Sequence, residues 1–186
     1  MVSLLSLWLP ILLSSVIVFV VSSIIHMMSP WHKNDYPKLE NEEKILDALR
    51  GFSIPGGDYM MPMPSARAEL RSSEFAERMK KGPLLTMTIW PGGAMNMSKP
   101  LIMWFLYSVV MGIFGGYVAG RALPTGAEYL QVFRFVGTTT FLGYAAALWQ
   151  MSIWYRRSLR TTFKLTIDGL VYALVTAGTF GWLWPR

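Results

Sequence analysis

Four long stretches of the chain carry almost no charged side chains, and this pattern limits the possible folds more than any other feature. They are Leu4–Ile25, Pro100–Gly120, Tyr129–Tyr155 and Leu165–Pro185. A helix needs ~20 mostly apolar residues to cross ~30 Å of hydrocarbon, and each stretch is long enough. Too few residues remain outside them to cover four such helices with protein. We therefore expect four transmembrane helices surrounded by lipid.

The charged residues concentrate between the first and the second stretch. Nine of the 11 acidic residues lie between Asp35 and Glu77, while the whole chain is 15% charged and 53% hydrophobic. A soluble domain averages about 25% charged residues. This distribution excludes a soluble globular enzyme and argues against a nucleic-acid-binding protein. The lipid bilayer is the expected partner.

The polar insert between the first two stretches is predicted to contain two short helices and two short strands. Asn41 is placed to cap the first helix, which Gly51 would end, and Ser72 or Ser73 to begin the second. Glycine or proline bounds each apolar run that predicts a strand. These runs are Asp58–Met63 and Leu84–Trp90. The predicted fold class is an all-α membrane protein with four transmembrane helices and a small α+β insert.

Basic residues predict the orientation of the chain. The connection Arg156–Lys164 holds four basic residues and no acidic one, and connections of this kind stay in the cytoplasm. An even number of crossings separates it from the insert, so both are expected in the cytoplasm and both termini outside. The expected division is residues 1–26 for the first transmembrane helix, 27–99 for the insert and 100–186 for the other three helices.

Small residues recur at four-residue spacing in the last three stretches. In lipid, helices associate through close backbone contact at such positions. We expect the stripes to pack against each other within one chain rather than to form a homodimer, and the first helix, which lacks a stripe, to lie more peripherally. The predicted packing residues are Gly112, Gly116, Gly120, Gly143, Gly169, Ala173, Ala177 and Gly181.

Two charged residues interrupt the apolar stretches, and intramembrane charges often mark functional sites. Arg134 is expected either to reach outward to lipid headgroups or to hold an anion or a partner's carboxylate. Asp168 can pair with Lys164 at i,i+4 spacing. Alternatively, it joins an inner-leaflet polar cluster whose other members would be His26, Gln150 and Tyr172.

Methionine and histidine are the only side chains that suggest a soft metal. The chain has no cysteine, which excludes thiolate zinc and iron–sulfur sites. Thioether and imidazole ligands suit copper, but the spacing follows no ligand pattern, and methionines also fill apolar surfaces. No cofactor is therefore expected, and the weak metal candidates are His26, His32, Met60, Met61 and Met63. Together with Met95 and Met97, the last three are expected to form the apolar underside of the insert.

No catalytic motif is present. The chain lacks G-x-S-x-G, H-E-x-x-H and a phosphate-binding loop, so no enzymatic activity is predicted. The leading hypothesis is a non-catalytic accessory, scaffold or assembly subunit of a larger membrane complex, with other membrane subunits as partners. The alternatives are a small transporter or channel that uses Arg134 or Asp168, and copper handling by methionine and histidine.

Several short segments of the chain carry a resemblance to known proteins. They are Ser22–Met27 followed by Pro30, His32 and Asp35-Tyr36, then Gly57–Met60, Asp168–Tyr172 and Thr179–Trp182. With these segments the chain resembles an uncharacterised family of small bacterial four-helix inner-membrane proteins, over nearly its whole length. The resemblance implies four membrane spans and the bacterial inner membrane, but no activity.

Overall fold

The computed structural model describes residues 1–90, 92–93 and 96–186. It is mostly helical and contains one small two-stranded sheet. The chain divides into a helical unit, Met1–Tyr36 with Asn96–Arg186, and an insert unit, Pro37–Met95. The compact insert unit is thus shorter than the expected insert of residues 27–99, because residues 27–36 and 96–99 belong to the helical unit.

The elements follow the chain in a simple order. A 3₁₀ turn at Leu4–Leu7 and a π-helical turn at Ile24–Met28 extend the first helix at its two ends. The helices are α1 (Trp8–Ser23), α2 (Glu42–Gly51), α3 (Ser73–Lys81), α4 (Ser98–Ala122), α5 (Tyr129–Phe141), α6 (Leu148–Tyr155) and α7 (Leu159–Trp182); the strands are β1 (Gly57–Met61) and β2 (Leu85–Ile89).

Three helices are long and apolar enough to cross a membrane. They are Leu4–Met28, which includes α1, together with α4 and α7. The remaining predicted span, Tyr129–Tyr155, is divided by a π-helical turn at Leu142–Ala146 into α5 and the shorter α6. Neither half alone reaches the length that a crossing requires. The described structure therefore supports a membrane location with three candidate spans.

The first helix is not peripheral, which corrects the expectation for α1. It packs against α4 and α7, and Leu7 and Val18 at its contacts are fully buried. Although α1 has no glycine stripe, Ser14 and Ser15 allow equally close contact because their hydroxyls donate to the Ile11 carbonyl of the same helix. A small polar side chain whose hydroxyl is satisfied locally can lie in a helix interface without an unpaired donor.

The glycines of α4 lie at contacts with three neighbouring segments. A Cβ built on Gly112 would lie 3.4 Å from Ile11 Cγ2, and one on Gly116 would lie 3.1 Å from Phe180. On Gly120 it would lie 2.8 Å from the carbonyl oxygen of Val2. The last distance is too short for any side chain, so the backbone of the N-terminal segment needs glycine at this point.

Small residues of α5 to α7 lie at close contacts as well. A Cβ on Gly169 would meet Ala145 at 3.0 Å, one on Gly181 would meet the Tyr129 ring, and one on Gly143 would overlap the Met111 sulfur. Two further small residues of α7 are fully buried or nearly so, namely Ala173 and Ala177. All these contacts are made within one chain.

The insert unit contains the predicted helices and strands. β1 and β2 pair antiparallel, with Gly57 opposite Ile89, so both strands are confirmed. β1 begins one residue before the predicted run and ends two residues before its end, and β2 is one residue shorter than its run at each end. The Ser72 hydroxyl accepts from the Phe75 backbone N–H at the start of α3, and Gly82, with φ of 55°, follows its end. Asn41 precedes α2 as predicted, but its side chain makes no capping hydrogen bond.

Most large apolar side chains of the insert unit are exposed. Among its described residues only Phe75 is a buried large hydrophobic one. Three of the methionines expected on its apolar underside, Met60, Met61 and Met63, are at least 40% exposed. Met97 lies in the helical unit and is also exposed, whereas Met95 lies outside the described residues.

Candidate functional site

A short segment after α1 folds back onto α7 and builds a polar cluster there. The Ser29 hydroxyl accepts from the Trp31 backbone N–H at 3.1 Å and starts a 3₁₀ turn at Pro30–His32. The Lys33 and Asp35 backbone N–H groups then donate to the Pro30 and His32 carbonyls. Because the chain turns so tightly, three of its side chains face α7.

His32 lies between two carboxylates. Its Nδ1 is 2.6 Å from Asp35 Oδ2, and its Nε2 is 2.8 Å from Asp168 Oδ2. The His32 side chain is 13% exposed, and the two aspartates are 7% and 4% exposed. An imidazole that donates from both nitrogens carries a positive charge. The geometry therefore suits a positively charged His32 ring between the Asp35 and Asp168 carboxylates in a largely buried site.

Lys164 completes the cluster from α7. Its Nζ donates to Asp35 Oδ1 at 2.5 Å and to the Trp31 carbonyl at 2.6 Å. The expected i,i+4 pair with Asp168 is therefore wrong: Lys164 pairs with Asp35, because the folded segment brings a better-placed carboxylate. Burial opposes ionisation of Asp35, but hydrogen bonds from Lys164 and His32 outweigh it and hold the pKa of Asp35 below its usual value.

Asp168 is also held at its second oxygen. The Trp31 indole donates to Asp168 Oδ1 at 3.1 Å, so both carboxylate oxygens have a donor. Two carboxylates thus lie against one lysine and one histidine. Buried ionic groups are tolerated when they are paired and hydrogen-bonded in this way.

His26 connects the cluster to the interior of the bundle. Its ring stacks on that of His32 with centroids 4.4 Å apart, and its Nε2 is 3.2 Å from the Tyr172 hydroxyl. Tyr172 in turn packs edge-on against Trp104 and Tyr144. The polar cluster thus ends at an aromatic group between α4, α7 and the π-helical turn after α5.

The same cluster contains donor atoms for a metal ion. His26, His32 and Asp168 each offer one ligand atom, and these atoms lie within 4.8 Å of one another. Two imidazoles and one carboxylate are a common ligand set for divalent transition metals.

The structure brings together three of the four residues predicted for an inner-leaflet cluster. Asp168, His26 and Tyr172 meet, whereas Gln150 on α6 is exposed. Arg134 is also exposed and lies elsewhere, in an open groove between α5 and α7 beside Leu170 and Leu174.

The sequence did not point to Trp31, Asp35 and Lys164 as members of the cluster. Their contact depends on the tight turn after α1, which joins residues more than 120 positions apart. Two local signals were present. Ser29 before Pro30 is a typical start of a helical turn, and His32 precedes Asp35 by three residues.

Comparison with protein-family models, with curated proteins and with solved structures finds no significant match. What the chain does must therefore be inferred from its own residues and geometry.

Proposed function

We propose that this chain is a non-catalytic integral membrane protein that serves as an accessory or scaffold subunit of a larger membrane complex. The observation that carries the proposal is the exposed apolar surface of the insert unit. Phe52 is 76% exposed, Trp90 73% and Met63 63%. Apolar side chains exposed to this extent in one small unit favour coverage by another molecule.

The groove beside β1 favours a protein partner. Met60, Met61 and Met63 line it together with Arg78 and Lys81. Methionine side chains adapt to different apolar surfaces, and the two cations suit an acidic residue at the edge of the partner's apolar segment. The same cations oppose a bound Cu⁺ ion, which argues against copper handling by these methionines.

The helical unit would hold this surface at the membrane. Both ends of the insert unit continue into apolar helices, so the unit is tethered at two points. The ion-pair cluster fixes the segment before the first tether, because Lys164 binds both Asp35 and the Trp31 carbonyl. An ordered end of the helical unit suits a scaffold.

We also propose four crossings, a location in the bacterial inner membrane and termini on the outside. Support for the fourth crossing comes from the helical path Tyr129–Tyr155, which continues through its π-helical turn with little interruption. The resemblance to small bacterial membrane proteins supports the location, and the basic connection before α7 supports the orientation.

Cysteine labelling tests this topology, because the natural chain has no cysteine. Single cysteines at Ser3, Ser65, Thr125 and Ser158 would be treated with an impermeant thiol reagent in intact cells. Labelling at positions 3 and 125 only is expected. The reverse pattern would contradict the orientation, and labelling of Thr125 and Ser158 from the same side would contradict the fourth crossing.

The scaffold function is tested by purification in a mild detergent. We expect a second membrane protein in a fixed ratio, and its loss when Phe52, Met63 and Trp90 are replaced together by serine. A matched variant with Glu43, Asp47 and Lys80 changed to serine, all exposed, should retain the partner. A wild-type chain that elutes as a pure monomer or homodimer would overturn the proposal.

A transporter is the second candidate, because Asp168 and His32 share a hydrogen bond beside a candidate membrane helix. Substitution of Asp168 with Asn should then abolish proton or cation flux in liposomes. If liposomes that contain the wild-type protein show no more flux than empty liposomes, the transporter is excluded.

A further inference from the structure

Three side chains from distant parts of the chain converge at the end of α1. His26 comes from the π-helical turn, His32 from the folded segment and Asp168 from α7. Ligands of a tetrahedral ion with bonds of about 2.0–2.1 Å are roughly 3.3 Å apart. The present donor atoms are 2.8 Å apart for His32 and Asp168, and all three lie within 4.8 Å. The donor atoms are thus within about 1.5 Å of ligand spacing, and rotation of the stacked His26 ring would aim its nitrogen at the same ion as His32.

Each of the three ligand residues also contacts a further group. Asp35 bonds the Nδ1 of His32, and the Trp31 indole bonds the second oxygen of Asp168. Tyr172 contacts the Nε2 of His26. Ligating histidines in metal sites nearly always have such an outer partner, most often a carboxylate, which fixes the ring orientation.

The charges of the cluster suit a divalent cation. Asp35 and Asp168 supply two negative charges, and Lys164 neutralises only one of them once His32 is neutral. The ligand set has nitrogen and carboxylate oxygen but no sulfur, which favours Zn²⁺-like ions over Cu⁺ and over Ca²⁺ or Mg²⁺.

We propose that His26, His32 and Asp168 bind one divalent transition-metal ion of the Zn²⁺ class, with a fourth coordination position open. The ion replaces the proton between His32 Nε2 and Asp168 Oδ2, and this proton passes to the solvent. Asp35 remains hydrogen-bonded to Nδ1 of His32, and Lys164 remains paired with Asp35. Because protons compete with the ion, affinity falls as the pH falls.

The test uses the full chain in detergent, purified through a tag without histidine, stripped with a chelator and titrated with Zn²⁺ in a calorimeter. One ion per chain is expected. His32→Gln, His26→Gln and Asp168→Asn should each weaken binding at least 100-fold, and Asp35→Asn 10- to 100-fold. Co²⁺ should give the intense visible bands of a four-coordinate site with nitrogen ligands.

Two controls separate a metal site from general effects. Asp47→Asn changes an exposed carboxylate that pairs with Arg50 and should leave Zn²⁺ affinity unchanged, as should the triple substitution of Met60, Met61 and Met63 with leucine. His26→Gln is the variant of choice if others unfold, because the hydrogen-bond partner of His26 is the Tyr172 hydroxyl alone among the described residues.

Three results would overturn the proposal. They are binding of less than one-tenth of an ion per chain, Zn²⁺ affinity unchanged by both histidine substitutions, and a six-coordinate Co²⁺ spectrum. The outcome does not depend on the scaffold function, because Zn²⁺ binding is measured without a partner. Conversely, Phe52→Ser would weaken partner binding and leave Zn²⁺ affinity intact if both proposals hold.

Discussion

Replacement of Lys164 by methionine should destabilise the helical unit by about 3 kcal/mol. Lys164 is 7% exposed, and its ammonium group bonds Asp35 at 2.5 Å and the Trp31 carbonyl at 2.6 Å. Removal of one partner from a buried ion pair costs about 3–5 kcal/mol, because a charge is left uncompensated. The lower end applies here, since His32 still faces Asp35 and the cluster borders the exposed ring of Trp31.

A double-mutant cycle distinguishes the ion pair from simple packing. Asp35→Asn alone should cost about 2–3 kcal/mol, because Lys164 keeps only the Trp31 carbonyl. The double variant should cost no more than about 3 kcal/mol, since neither charge remains unpaired. Independent effects would add to roughly 5–6 kcal/mol, so the expected coupling energy is about 2–3 kcal/mol.

The free energy of unfolding would be measured by SDS titration of the protein in mixed micelles, with fluorescence of Trp31 and the other tryptophans as the signal. A single-variant cost below about 0.5 kcal/mol, typical of a surface substitution, would refute the assignment of Lys164 to a buried pair. Strict additivity of the two substitutions would refute the coupling between Lys164 and Asp35.

Three further predictions follow from the same contacts. Because the pKa of Asp35 is lowered, its ionised form stabilises the protein above the ordinary aspartate pKa of about 3.9. This stability is lost as the pH falls through the lowered pKa. When unfolding is followed from pH 7 to pH 2, the free energy of unfolding should fall in the wild type and fall less in Asp35→Asn. Gly120→Ala should cost about 1–3 kcal/mol, because its Cβ would meet the Val2 carbonyl at 2.8 Å, whereas Gly178→Ala, with 3.5 Å of space, should be tolerated in the same SDS titration. Arg134→Gln should change stability by less than about 0.5 kcal/mol, since Arg134 is exposed; a larger loss would show a buried partner for its guanidinium group.

Charge-free stretches predicted the long helices well because hydrocarbon length is a strict requirement. The predicted Leu4–Ile25 and Pro100–Gly120 are close to the observed Leu4–Met28 and Ser98–Ala122. The last helix, however, begins at Leu159 rather than Leu165. The predicted stretch starts after the charged Lys164, but Lys164 pairs with the distant Asp35 and lies inside the helix.

The polar cluster was only partly predictable. His26, Asp168 and Tyr172 lie in two candidate membrane helices, and the position of a residue along such a helix follows from the sequence. The contacts of Trp31 and Asp35 depend on a turn outside any helix, and hydropathy carries no information about it. Similarly, close packing of α1 was missed because serine, with its hydroxyl bonded to its own helix, replaces the expected glycine.

The π-helical turn at Leu142–Ala146 adds one residue to an otherwise regular helix, and this insertion sets the rotation of everything that follows in it. The carbonyl of Gly143 in this turn accepts from the Tyr107 hydroxyl at 2.7 Å. Further along, in α6, the Ser152 hydroxyl lies 2.6 Å from the Thr162 hydroxyl of α7. Deletion of a single residue would restore an unbroken helix and turn α6 by about 100° about its axis. Ser152 would then face away from α7. The number of residues in this segment, as much as their identity, therefore sets the orientation of α6 against α7.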